Sequence, residues 1–156
     1  MEQFWQELMH DWPDTPELLT STFRLLLAAL VGGITGLQRE HLRAPAGLRT
    51  HMLVSLGAAI FVQAAMDAGA TLGDTTRVIQ GMATGIGFVG AGAILKSGQG
   101  EIHGLTTAAT IWLTAGLGTA VGTGRIWLPL AGSVLAFAIL SVLRRFETRR
   151  EGEANR

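Results

Sequence analysis

The sequence has 156 residues, of which 48% are hydrophobic and only 15% charged, with 21 glycines, no cysteine and a formal net charge of zero. This composition is typical of a single membrane domain. The lack of cysteine excludes disulfides, iron–sulfur clusters and thiol chemistry.

The first segment, residues 1–17, is predicted to hold a short helix that lies flat at the membrane interface. Its apolar residues recur at helical spacing and include two tryptophans, which favour headgroup depth. These residues are Phe4, Trp5, Leu8, Met9 and Trp12. Thr15 suits an N-cap and Pro16 the first helical position, so we expect the first membrane helix to begin there.

Five apolar segments follow, each long enough or nearly so to cross a bilayer. They cover residues 18–38, 51–69, 78–95, 105–123 and 126–143. The sequence therefore predicts an all-α polytopic membrane helix bundle with five transmembrane helices over residues 18–143. A basic tail over residues 144–156 completes the chain.

The basic residues predict the orientation of the bundle. Most lie in the segments after the first and third apolar runs and in the tail, and five crossings place all three segments on one side. The positive-inside rule makes that side cytoplasmic, with the N-terminus outside and the C-terminus inside. Anionic lipid is the expected partner of the tail, and no nucleic acid partner is expected.

Glycines crowd several of the apolar runs and are interpreted as helix-packing positions, because a missing side chain lets helices approach closely in lipid. They are Gly32, Gly36, Gly81, Gly85, Gly87, Gly90, Gly92, Gly118 and Gly122. Two alternatives stay open. The paired glycines could form a dimerisation face of a homo-oligomer, or the run 85–92 could break the third helix and expose backbone groups to an ion.

The densest polar cluster lies in the segment 38–51, which leads from the first span into the second. Its candidate functional residues, which would contact a partner or lipid, are Arg39, Glu40, Arg49, Thr50 and His51, together with Glu101. Pro45 and Gly47 could bend the chain so that Arg49 meets Glu40 or Glu101. The alternative for Arg39 and Arg43 is that they only set topology and contact lipid phosphates.

The positions of the acidic residues indicate whether the chain could form a path for cations. Magnesium is held by carboxylates and retained waters, and a transport path needs acids near the middle of the membrane. The candidate acids lie at the two ends of the spans instead: Glu40, Glu101, Asp67 and Asp74. The threonines at 106, 110 and 114 share a helix face, and Thr107 neighbours the last two at spacings of three and seven. This pattern indicates helix packing or, as the alternative, a conduction path. We expect no metal site, no catalytic residue and no cofactor.

Four blocks of sequence resemble the membrane domain of the MgtC/SapB family of bacterial inner-membrane proteins. They are Gly36-Leu-Gln-Arg-Glu40, Ala46-Gly-Leu-Arg-Thr-His51, Gly85-Ile-Gly-Phe-Val-Gly-Ala-Gly92 and Gly104-Leu-Thr-Thr-Ala-Ala-Thr-Ile-Trp112. The resemblance implies a five-span protein linked to growth in low magnesium and, in pathogens, to virulence. It also implies action on other membrane proteins, such as cation-pumping ATPases or ATP synthase.

The leading hypothesis is therefore a non-enzymatic membrane regulator of magnesium homeostasis. The competing hypothesis is a small magnesium transporter or channel that uses Asp67 and Asp74 outside, the threonine face and Glu40 inside. A third is a purely structural protein that organises lipid. Family members often carry glutamate at the position of Gln38 and a basic residue at the position of His103, and many add a soluble domain after the last span.

Overall fold

The structure is a computed structural model that describes residues 1–2, 4–5, 14–96 and 102–154. Among the described residues from 14 onwards there are five long helices and one pair of short antiparallel strands. They are α1 (Thr15–His41), α2 (Leu48–Asp67), α3 (Leu72–Gly92), β1 (Leu95–Lys96), β2 (Ile102–His103), α4 (Leu105–Gly122) and α5 (Trp127–Ala154). The predicted all-α class is confirmed. The predicted interfacial helix lies largely outside the described residues.

Three helices, α1, α2 and α4, are long and apolar enough to cross a membrane. The stretch Trp127–Val142 of α5 is a shorter apolar helix, and α3 is long enough but less apolar over its length. The chain is therefore a helical membrane bundle. That α3 and α5 also cross the membrane stays a prediction.

The predicted N-cap of α1 is wrong by one residue, and α3 begins before the membrane span predicted for it. Asp14, not Thr15, is the N-cap of α1, and Pro16 falls within the first turn. Helix α3 begins six residues before the predicted span at residue 78, because Thr71 and Asp74 form a capping box. In such a box each side chain accepts a hydrogen bond from the other residue's backbone N–H.

Helices α1 and α2 form a tight hairpin whose backbones touch. A Cβ added at Gly32 would lie 2.6 Å from the carbonyl oxygen of His51, and one at Gly36 would lie 2.8 Å from the Cα of Leu48. No side chain larger than glycine fits at either position without a shift of backbone. The glycines of α1 therefore set the distance between the two helices.

Helix α4 lies at the centre of the bundle and packs on α1, α2, α3 and α5. A Cβ at Gly118 would overlap the carbonyl oxygen of Ser55, and one at Gly122 would lie 2.9 Å from that of Ala59. Beside this contact lies the apolar core, which we define as Ala28, Val31, Ala59, Leu117 and Val121. All five side chains are buried.

Helix α3 is peripheral and continuous through the glycine run. It contains no break up to Gly92, so the alternative of a discontinuous third helix is wrong. A Cβ at Gly81, Gly85, Gly87 or Gly92 would meet no described atom within 4 Å, and one at Gly90 would make only ordinary contact with Ala108. The prediction that those four glycines pack within the bundle is therefore wrong, since their face of α3 is uncovered.

Helix α5 continues without interruption from the last apolar run into the basic tail. The expected boundary at residue 144 is not a boundary of secondary structure, because the helix reaches Ala154. At about 1.5 Å per residue its 28 residues extend roughly 42 Å, longer than a hydrocarbon layer of about 30 Å.

Candidate functional site

A row of buried polar side chains runs along the interface of α1, α2 and α4. We call it the polar column. Its members come at one-turn intervals from each helix, and all are less than 9% exposed: Thr35, Arg39, His51, Ser55, Thr107, Thr110 and Thr114. It occupies the end of the bundle at which α1 turns into α2, here called the hairpin end.

Arg39 is the cation of the polar column. It is only 8% exposed, and its Nη2 donates a hydrogen bond of 2.7 Å to Oγ1 of Thr107. Its buried Nε has no hydrogen-bond partner among the described residues. A charged group in such surroundings is normally paired with an opposite charge, because burial removes its hydration. The interpretation of Arg39 as a surface topology determinant is therefore wrong.

His51 lies one layer deeper and is fully buried. Its Nδ1 lies 2.8 Å from the carbonyl oxygen of Gly47 and so donates to it, while its Nε2 lies 3.2 Å from Oγ1 of Thr110. The Thr110 hydroxyl also lies 2.9 Å from the carbonyl oxygen of Thr107. Because a hydroxyl has one proton, Thr110 can donate either to a neutral His51 or to its own helix.

Two hydroxyls in the column are buried and yet lack the intrahelical hydrogen bond that many hydroxyls of the described helices make. Nine serines and threonines donate to a carbonyl three or four residues earlier, as is usual in apolar helices. These are Thr20, Thr75, Thr76, Thr84, Thr110, Thr114, Thr119, Thr123 and Ser133. Thr35 and Ser55 are fully buried, and their hydroxyls have no partner among the described residues. The column thus holds hydrogen-bonding capacity that its own helices do not use.

The polar column ends where the apolar core begins. In α1 the buried residues change from Arg39 and Thr35 to Val31 and Ala28, and α2 changes in the same direction from His51 and Ser55 to Ala59. In α4 the threonines give way to Leu117 and Val121. The described interior is therefore polar towards the hairpin end and mainly apolar beyond it, where Gln63 of α2 is a buried polar side chain.

Glu40 has a structural role at the loop between α1 and α2. Its Oε2 accepts a hydrogen bond of 2.9 Å from the backbone N–H of Leu48, the first residue of α2. A Cβ at Gly47 would overlap that carboxylate, so a larger residue there would displace the Glu40 side chain from this position. Glu40 therefore caps α2 and closes the hairpin. The expectation that Arg49 meets Glu40 is wrong.

The other predicted residues lie apart from the column. Arg49 is exposed and Thr50 half-buried, and neither side chain bonds a described residue. Glu101 lies outside the described residues. The predicted cluster thus divides into Arg39 and His51, which are buried, and Glu40, Arg49 and Thr50, which are at the surface.

The acids at the far end of the bundle do not form a cation site. Asp67 is exposed. Asp74 accepts hydrogen bonds from the hydroxyl and the backbone N–H of Thr71 and pairs with Arg77 at 3.0 Å. The Thr71 hydrogen bonds, helped by Arg77, hold the pKa of the exposed Asp74 carboxyl below its usual range. Within the described chain, no three histidines or acids lie close enough to hold a metal ion.

A separate apolar groove of about 510 Å³ lies between α2 and α3, on the side away from the polar column. Gly57, Gly81 and Gly85 form part of its wall, with Phe61 and Met82. The uncovered glycines of α3 thus border an open apolar surface.

Comparison with known proteins places these features in a family. The family model described as "MgtC family" matches residues 25–149, which include the whole polar column, the whole of α2, α3 and α4, and most of α1 and α5. The chain belongs to the MgtC family. No solved structure matches it.

Curated relatives of this MgtC-family chain come from several bacteria. Protein SrpB of Synechococcus elongatus is 44% identical over 138 residues, covering 81% of this chain and 76% of SrpB. The putative magnesium transporter YhiD of Escherichia coli K12 is 39% identical over 133 residues, covering 81% of this chain and 61% of YhiD. Protein MgtC of Salmonella typhimurium LT2 is 38% identical over 126 residues, covering 80% of this chain and 53% of MgtC.

Sequence reasoning missed two members of the polar column in this MgtC-family chain, Thr35 and Ser55. The sequence contains a pattern that points to both residues. Thr35 lies four residues before Arg39, and Ser55 lies four residues after His51, each within an apolar run. Residues four apart share a helix face. Because the spacing does not reveal which face another helix covers, the pairs alone could not predict burial.

Proposed function

We propose that this chain is a non-enzymatic membrane regulator of the MgtC type, linked to magnesium homeostasis and low-magnesium adaptation. It acts by contacting other membrane proteins at its hairpin end, and in a pathogen that activity supports virulence. The observation that carries the proposal is the buried Arg39, a fixed positive charge where a cation carrier needs negative ones.

Electrostatics argue against cation transport through the bundle. Magnesium prefers oxygen ligands, mainly carboxylates and water. The described interior offers hydroxyls, one imidazole, one guanidinium and the carboxamide of Gln63, and none of its buried side chains is an aspartate or glutamate. A divalent cation entering the polar column would be repelled by Arg39 at low dielectric and would then meet the apolar core. Both features favour a protein that acts on partners.

The surface for such contacts is the loop between α1 and α2. Arg43 is exposed on this loop and Arg49 is exposed beside it in the first turn of α2, and the Glu40 cap fastens the loop to that turn. Cation-pumping ATPases or ATP synthase are the partners that we propose, within a bacterial inner membrane, with the N-terminus outside and the C-terminus cytoplasmic. Charged side chains at an interface rim mainly guide association and orientation.

Partner capture tests this function. We expect the double substitution Arg43→Glu and Arg49→Glu to remove specific membrane proteins from the complex purified from native membranes and to impair growth in low magnesium. Arg125→Glu, an exposed arginine in the α4–α5 loop, is the matched control. Unchanged copurification and growth in a stably inserted double variant would refute the proposal.

A magnesium transporter or channel is the second candidate, because the YhiD relative carries the printed name of a putative magnesium transporter. Its test is uptake into liposomes that contain only this protein. We expect no saturable magnesium flux. Saturable uptake that the substitution Asp67→Asn abolishes would favour transport over regulation as the function of this chain.

A further inference from the structure

The N-terminus of α4 is open to hydrogen-bond acceptors. Its cap is Gly104, which has a left-handed φ of 91° and no side chain that could bond the first turn. A Cβ there would overlap the carbonyl oxygen of Ala93, so a capping serine or aspartate does not fit. The first N–H groups of a helix have no partner within it, and over 18 residues the aligned peptide dipoles make this end positive.

Arg39 reaches into the same place. Its guanidinium donates to the hydroxyl of Thr107, which is the third residue of α4. Among the described residues no carboxylate lies within 4 Å of it. Its buried Nε has no partner there. A buried cation therefore faces the positive end of a helix. The two positive charges repel each other, and burial strengthens that repulsion.

We propose that this junction is a binding site for an anionic phosphate group, held by Arg39 and by the first turn of α4. A phosphate has several oxygen atoms that accept hydrogen bonds, and it does not itself require a hydrogen-bond acceptor. It suits a guanidinium fork, free backbone N–H groups and threonine hydroxyls together. Leu105 and Thr106 are exposed, so the ligand reaches the first turn from the surface.

The same chemistry has two sources, the headgroup of an anionic phospholipid and free phosphate. The junction lies near the end of α1, whose last helical residue is His41 two positions after Arg39, at a depth that suits a headgroup. The inference goes beyond the proposed function and does not depend on it.

Thermal unfolding of the full chain in dodecyl maltoside, a detergent without phosphate, provides the test. One series adds inorganic phosphate, with chloride balancing the ionic strength. A second compares dioctanoyl phosphatidylglycerol with dioctanoylglycerol, which lacks the phosphate. We expect a saturable rise in Tm in at least one series, and Arg39→Gln to weaken the apparent affinity by about tenfold or more. Arg125→Gln, at an exposed arginine of the α4–α5 loop, is the control and should bind as the parent does.

Each result has a stated meaning. A rise with inorganic phosphate identifies free phosphate as sufficient, and a rise only with phosphatidylglycerol identifies the lipid. If Arg39→Gln does not fold, Arg39→Lys decides, since it keeps the charge but loses the fork and should still bind more weakly than Arg125→Gln. The proposal is overturned if neither series raises Tm, or if Arg125→Gln loses as much affinity as the Arg39 variant.

Discussion

In the polar column, the hydrogen-bond partner of each hydroxyl group determines what its side chain contributes to the stability of the bundle. Thr107 and Thr114 are both fully buried threonines of α4, yet Thr107 accepts the hydrogen bond of Arg39 while Thr114 donates only to the carbonyl oxygen of Thr110, 2.7 Å away. One hydroxyl therefore joins two helices and the other serves its own helix. Their removal should have different consequences.

We expect Thr107→Val to lower the free energy of unfolding by about 1–3 kcal/mol, because it leaves a buried charged donor without its acceptor. Thr114→Val should change it by no more than about 0.5 kcal/mol, since an intrahelical hydroxyl bond adds little. Chemical unfolding of the purified variants in detergent measures both. Equal losses would show that Thr107 does not hold Arg39.

Glycine contacts allow a second comparison between single residues. Gly118→Ala should strongly reduce stability, since its methyl group would overlap the backbone of Ser55. Gly116→Ala should be neutral or stabilising by up to about 1 kcal/mol, because a Cβ there meets nothing within 4 Å and alanine favours a helix. Thermal unfolding and membrane abundance report on both. A destabilised Gly116 variant would contradict the packing described here.

At the scale of the elements, α3 differs from its neighbours. Only Thr75 and Gly90 are buried in it, whereas nine residues are buried in α4. The first turn of α3 is therefore stabilised mainly by the capping box and the Arg77–Asp74 pair, and less by burial of side chains. Local capping of this kind depends on the charge of the carboxyl group.

We expect Asp74→Asn to increase amide hydrogen exchange in the first turn of α3, with Asp67→Asn as the control. The pKa of Asp74 is lower in the folded chain than in the unfolded chain, so its stabilising effect is present above the usual aspartate range. That effect is lost as the pH falls through the lowered pKa. Exchange in this turn that does not change over that acid range would contradict the assignment.

The uncovered glycine face of α3 gives another prediction for an element. In the isolated chain Gly85→Leu should leave folding intact, whereas Gly36→Leu should abolish assembly because its Cβ has no room beside Leu48. Membrane abundance and detergent stability measure the difference. Loss of abundance for Gly85→Leu would mean that another polypeptide covers this face, as in a homo-oligomer.

The sequence was sufficient to predict the helices but only part of the site. Long apolar runs predict helices because a bilayer requires internally bonded backbone, and all five were found. A Gly-xxx-Gly pair predicts a smooth face without showing what lies against it, so Gly36 and Gly85 were indistinguishable. The role of Glu40 depends on the fold of a six-residue loop, which spacing along the chain does not specify.

For the whole molecule, five crossings require the two chain ends to lie on opposite sides of the membrane. We expect a reporter at the N-terminus to be active only outside the cytoplasm and one at the C-terminus only inside. Reporters within the α1–α2 loop should behave as the C-terminal one does. Both ends in one compartment would show that α3 or α5 does not cross.

The Glu40 cap and the glycine contacts between α1 and α2 also have a mechanical consequence. Because the loop is fastened to the first turn of α2 and the two backbones touch, we expect α1 and α2 to respond to an applied force as one unit. Arg39 and His51, one on each of these helices, both hydrogen-bond threonines of α4. A partner that pulls on the loop would therefore load both of these contacts at the same time.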